Sequence, residues 1–78
     1  EIRITSGARK HGFGKRRILA ALINQSLSVT VPSASVDPKI LFRGCDDFGI
    51  ELEIISIVLP GKLLIIHAMP TAYRRNRN

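Results

Sequence analysis

The chain has 78 residues, a net charge of +6 and an apolar fraction of 45%, which points to one small globular domain rather than a disordered tail. Its single cysteine, Cys45, excludes an intrachain disulfide and suits a reducing, cytoplasmic location. Glu1–Thr5 carries no secretory signal, and no apolar run approaches the ~20 residues of a spanning helix, so neither export nor membrane insertion is expected.

Ile2 and Ile4 alternate with Arg3 and Thr5, which predicts a short first strand ended by Ser6-Gly7. Ala8–Gly12 reads as a helical turn. The best helix spans Phe13–Gln25, where Ile18, Leu19, Leu22 and Ile23 fall on one stripe and Ala20 and Ala21 favour close packing. Leu27, Val29 and Val31 then alternate with Ser28 and Thr30 as a strand up to Pro32. Lys39–Arg43 is a further strand, ended by Gly44, and Asp46-Asp47-Phe48-Gly49 is a hairpin-type connection. Ile50–Leu59 is the longest strand: Ile50, Leu52 and Ile54 share one face, while Glu51 and Glu53 start the other and are expected to be exposed. Pro60-Gly61 turns the chain into a last strand, Lys62–His67. The fold class is therefore α+β, one main helix packed on a twisted antiparallel sheet of four to five strands, with residues 1–74 as the domain and 75–78 as a basic tail.

Charge is segregated along this scaffold. Residues 1–17 hold six basic side chains and one acidic one, residues 18–73 hold three basic and five acidic, and Arg74, Arg75 and Arg77 close the chain. Cations gathered at two ends point to an anionic partner, with a nucleic-acid phosphate backbone the natural candidate. Lys15-Arg16-Arg17 sits at a helix start, where the macrodipole favours negative charge; the cations are locally unfavourable there but suit a bound phosphate. Phe13 and Tyr73 each adjoin a basic cluster, although four aromatic rings are too few for a stacking platform.

Other chemistries find little support. His11, Cys45 and His67 show no metal-ligand spacing, and no cofactor is expected. Gly12-Phe13-Gly14-Lys15 lacks the spacing and hydroxyl of a phosphate-binding loop. Asp46 and Asp47 beside Cys45 disfavour a thiolate nucleophile. Arg9, Lys10, His11, Glu53, His67 and Arg74 remain as the set able to cleave an RNA backbone, which needs a base for the 2′-hydroxyl, cations for the charged phosphorane and an acid for the leaving oxygen. Each has an ordinary alternative: surface cations in solvent, Glu53 paired with Lys62 or Arg43 across a hairpin, His67 satisfied at a strand end.

Ala8-Arg9-Lys10-His11-Gly12, then Phe48–Ile55, then Ile66-His67-Ala68-Met69-Pro70, resembles the BrnT group of the RelE-type toxin superfamily over roughly residues 2–74. The resemblance implies a bacterial type II toxin, an endoribonuclease acting on mRNA and held in check by a cognate antitoxin, itself a small DNA-binding protein. It places Lys10, His11, Glu53, His67 and Arg74 in the catalytic region and implies RNA contacts from Arg9, Lys15, Arg16, Arg17, Tyr73 and Arg75. Gly7 stands where a histidine is expected, and Lys15-Arg16-Arg17 replaces an acidic helix start. A non-catalytic basic nucleic-acid-binding or regulatory module, or a subunit docking an acidic protein, remains open on the residues alone.

Overall fold

In a computed structural model, which describes residues 1–32 and 36–75, the chain order is β1 (Ile2–Ile4), α1 (Lys15–Ile23), β2 (Gln25–Val31), β3 (Lys39–Cys45), β4 (Glu51–Leu59), β5 (Lys62–Pro70) and α2 (Thr71–Arg75). The strands form one sheet in the order β1-β5-β4-β3-β2. Hairpins join β3, β4 and β5 as antiparallel neighbours, and β2 pairs antiparallel with β3. The sheet is mixed rather than wholly antiparallel, because β1 runs parallel to β5, with Ile2 beside Leu63 and Ile4 beside Ile65. Alternation reveals which face a strand buries but not its direction. A parallel pair needs a long crossover, which the intervening helix and three strands supply.

The core lies between α1 and one sheet face. Ile18 and Ala21 of α1 meet Phe42, Leu52, Ile54, Ile65 and Ala68, with Ala8 and Phe13 closing the end. Ile18, Leu52, Ile54 and Ile65 are completely buried, each worth about 1.5–3 kcal/mol of apolar burial. The helix is shorter than the periodicity predicts. Gly14 is its N-cap, in extended conformation with no side-chain cap, and Asn24 ends it by donating its N–H to Ala20 and Leu22 carbonyls. Gln25 already pairs with Gly44 in the sheet, so a further turn has no room. The buried face of α1 is centred on Ile18 and Ala21, and Ile23, on the far side of the helix from Ala21, is 82% exposed, which corrects its place on the apolar stripe. The last strand is longer than predicted, and the chain continues into α2, so Arg75 closes a helix rather than opening the tail; 76–78 lie outside the described residues.

One irregularity decides where the site forms. From Leu59–Lys62 the β4–β5 register runs evenly to Ser56–Ile65, then jumps so that Ile55 faces His67 and Ile66 has no partner. An even register would set His67 opposite Ile54, in the core. The bulge at Ile66 turns His67 to the face away from α1, while Ala68, opposite Ile54, stays in the core.

No helix among the described residues is long and apolar enough to cross a membrane.

Candidate functional site

On the face opposite α1, β3, β4 and β5 bring three polar side chains together. Arg43 lies directly across from Glu53 on β3–β4, and His67 lies opposite Ile55, one diagonal step away. Nε2 of His67 is 3.4 Å from Oε1 of Glu53, and Nη2 of Arg43 is 3.7 Å from Oε2. The Glu53 side chain is fully buried, which corrects the expectation of an exposed carboxylate; Arg43 and His67 keep 33% and 30% of their side-chain surface in solvent. Glu51, by contrast, is half-buried at the strand's start.

A buried carboxylate needs charged or hydrogen-bonding neighbours, and the two flanking strands supply them. The neighbours in turn are incompletely satisfied. Among the described residues, Arg43 Nε, His67 Nε2 and Thr71 Oγ1 are buried without a hydrogen-bond partner; the His67–Glu53 approach is close enough for an ion pair but not aligned as a hydrogen bond. A buried polar atom left in this way costs roughly 1–3 kcal/mol; two of the three, on Arg43 and His67, lie on the strands that flank Glu53. With Nε2 facing Glu53, solvent reaches the imidazole through its other atoms. The arrangement is a half-exposed imidazole backed by a buried carboxylate, next to a guanidinium. An imidazole and a carboxylate at this distance are groups able to take part in proton transfer.

The basic N-terminal loop is fixed beside β5. Thr5 donates its N–H and its hydroxyl to the Ile65 carbonyl (3.0 and 2.9 Å), and Ala8, Arg9 and Gly12 donate their N–H groups to the carbonyls of Thr5, Ser6 and Arg9 in successive turns. Ala8 is completely buried, so it anchors the loop while Arg9, Lys10 and His11 stay exposed. His11 meets Tyr73 of α2 edge-on, ring centroids 5.7 Å apart. That contact brings the N-terminal loop and the C-terminal helix together. Arg74 and Arg75 lie in α2, and their side chains fall outside the described residues.

Three expected RNA contacts have a different setting. Arg17 donates through Nε and Nη2 to Oδ2 of Asp46, both at 2.7 Å, and its guanidinium lies 4.3 Å from the centre of the Phe13 ring and 5.0 Å from that of Phe48. It bolts α1 to the β3–β4 turn and is committed to the fold. Arg16 reaches Asp47 at 3.1 Å from an exposed position, whereas Lys15 is simply exposed. Phe13 is buried in the core and not available for stacking a base.

Asp46 organises that turn. Its Oδ1 accepts the N–H groups of Phe48 and Ile50, both at 2.9 Å. Burial by itself raises the Asp46 pKa, but the Ile50 N–H, the Arg17 guanidinium and the Phe48 N–H together outweigh it and hold the carboxyl below its ordinary value of 3.8. A depressed folded-state pKa contributes stability that is present above the unfolded value and is lost as pH falls through the folded one. Asp46→Ala is therefore expected to cost about 2–4 kcal/mol at neutral pH. In an acid titration followed by circular dichroism, it is also expected to remove part of the stability loss below the unfolded value of 3.8.

No family model, curated protein or solved structure matches this chain.

Of the residues singled out in the sequence, Glu53 and His67 meet, and so do His11 and Tyr73. Arg43 is the site residue that sequence reasoning passed over as a mere ion-pair partner. Its signal was available: once Cys45 and Glu51 flank the turn, two steps further along each strand set Arg43 opposite Glu53.

Proposed function

We propose that the chain is the toxin of a type II toxin–antitoxin system, a metal-independent endoribonuclease that acts on mRNA and inhibits translation. The observation that carries this reading is the approach of His67 to the buried Glu53, 3.4 Å apart, with Arg43 beside them. In this scheme neutral His67 takes the proton of the attacking 2′-hydroxyl, and Glu53 supports the imidazolium that forms. Glu53 is thus a positioning residue rather than a base that touches RNA. Arg43 faces the charge that develops on the phosphorane. Lys10 and His11 are the candidate proton donors for the departing 5′-oxygen. Arg9, Lys15 and Arg74 hold flanking phosphates, with Tyr73 and Arg75 at the α2 edge. The resemblance to BrnT-type toxins adds the cognate antitoxin as partner.

Expression without an antitoxin is expected to arrest bacterial growth, and His67→Ala is expected to relieve the arrest at equal protein level. Growth arrest that persists undiminished in this variant overturns the catalytic assignment.

The full burial of Glu53 also fits a second reading, a non-catalytic module that binds nucleic acid through its basic loop. Arg9→Glu with Lys10→Glu separates loop binding from chemistry. Each lost phosphate contact is expected to flatten the plot of log affinity against log salt by about 0.7 for single-stranded RNA. Fluorescence anisotropy across a salt series measures this slope, and an unchanged slope removes the loop from the RNA-binding surface.

A further inference from the structure

The two edges of the sheet are built differently. β1 is three residues long and carries Arg3, with Glu1 just before it, which are the usual guards of a sheet edge. β2, at the other edge, is seven residues long, Gln25–Val31, with no charged residue. Its outer backbone groups have no ladder partner among the described residues. Val29, 44% exposed, extends the apolar row of Leu41 and Ile55 across the face opposite α1, and Leu27, 38% exposed, lies beside Arg43 on the same face.

We propose that this edge pairs with the same edge of a second copy of the chain, antiparallel and centred on Val29, to form a two-fold symmetric dimer with one continuous sheet. The regular part of β2 runs from Leu27 to Val31, between the irregularity at Ser26 and Pro32. Centred on Val29, every residue in that stretch meets one of its own kind. Leu27 faces Val31 of the second copy, Ser28 faces Thr30 of the second copy, and Val29 faces Val29 of the second copy. Apolar pairs fall on one face and hydroxyl pairs on the other, both favourable across antiparallel strands. Charge selects the same occupant. A chain of net charge +6 resists self-association unless the joined surface is neutral, and β2 is. An acidic partner has nothing to bind on this strand and is drawn to the basic loop instead. The pairing uses the edge once on each copy, so it closes at two. It is independent of the RNA-cleavage reading.

The test is solution mass by sedimentation across the micromolar range, together with cysteine cross-linking. The wild type is expected to move from a mass of 8.6 kDa to twice that as concentration rises. Val29→Lys sets two like charges opposite one another and is expected to hold the mass at the monomer value with an unchanged circular dichroism spectrum. In a Cys45→Ser background, Val29→Cys is expected to oxidise to a covalent dimer. Thr30→Cys is not, because its counterpart lies two residues along the strand, beyond the roughly 7 Å that a disulfide spans. The cross-linking arm stands even if Val29→Lys fails to fold. A wild type that stays monomeric throughout, or a Thr30→Cys chain that cross-links as readily as Val29→Cys, overturns the proposal.

Discussion

Gly44→Ala is expected to leave much of the protein unfolded at room temperature. Gly44 is buried on β3 where the end of α1 and the start of β2 cross it. A Cβ there would run into the Ala21 carbonyl oxygen, and would also lie 2.9 Å from the Gln25 Cα and 3.0 Å from the Asn24 carbonyl carbon. All three are backbone atoms, so no side chain can swing aside to make room. Either α1 lifts from the sheet, exposing Ile18 and Ala21, or the β2–β3 ladder opens. Overpacking usually costs 1–3 kcal/mol, and one against fixed backbone is expected to reach about 3–5 kcal/mol. A domain of this length holds on the order of 5–10 kcal/mol in total. Urea denaturation should show a midpoint lowered by roughly half or more. Gly14→Ala is the control: a Cβ at Gly14 meets nothing within 4 Å, and its change should stay within about 1 kcal/mol. A normal midpoint for Gly44→Ala would mean that α1 does not pack this closely on β3.

His67→Ala is expected to reduce RNA cleavage by roughly 10²–10⁴-fold, the usual contribution of a general base, while the chain stays folded. Stability should survive because His67 keeps part of its side chain in solvent and Arg43 remains beside Glu53 when the ring is removed. Glu53→Gln keeps the shape and removes the charge behind the ring. It should lower the rate less than His67→Ala, since the imidazole remains. Arg43→Lys keeps the charge but loses the planar fork, and it should lower the rate without restoring normal activity. Single-turnover cleavage with all three proteins, alongside thermal unfolding, separates chemistry from folding. If His67→Ala cleaves as the wild type does, the imidazole has no part in the reaction.

Much of this architecture was legible in the sequence, for identifiable reasons. Ile2/Ile4, Leu27/Val29/Val31 and Leu52/Ile54 alternate clearly, and Pro60-Gly61 and Asp46–Gly49 mark the turns, so the order from β1 to β5 follows from pattern, whereas the short α2 was not read. Glu53 and His67 were legible as chemistry-bearing residues but not as neighbours. Their meeting depends on the bulge at Ile66, which exchanges the faces of every residue after it and leaves no trace in an apolar run such as Leu63–Ile66. The burial of Glu53 was hidden for a related reason. Alternation treats a carboxylate as solvent-facing, whereas here the flanking strands place Arg43 and His67 against it. Arg17 was misjudged because its cluster reads as one patch; only the long-range contact with Asp46, 29 residues away, shows that one of three adjacent cations serves the fold. The parallel β1 lay beyond any local pattern.

The most direct test of the central claim is cleavage of a defined RNA by the purified protein in excess chelator, beside the same strand with 2′-deoxy substitutions at the cut positions. The account predicts cleavage that leaves a 2′,3′-cyclic phosphate end, an uncut deoxy-substituted strand, and little or no product with His67→Ala. An RNA that stays intact, a deoxy-substituted strand that is cut equally well, or full activity in His67→Ala would contradict it.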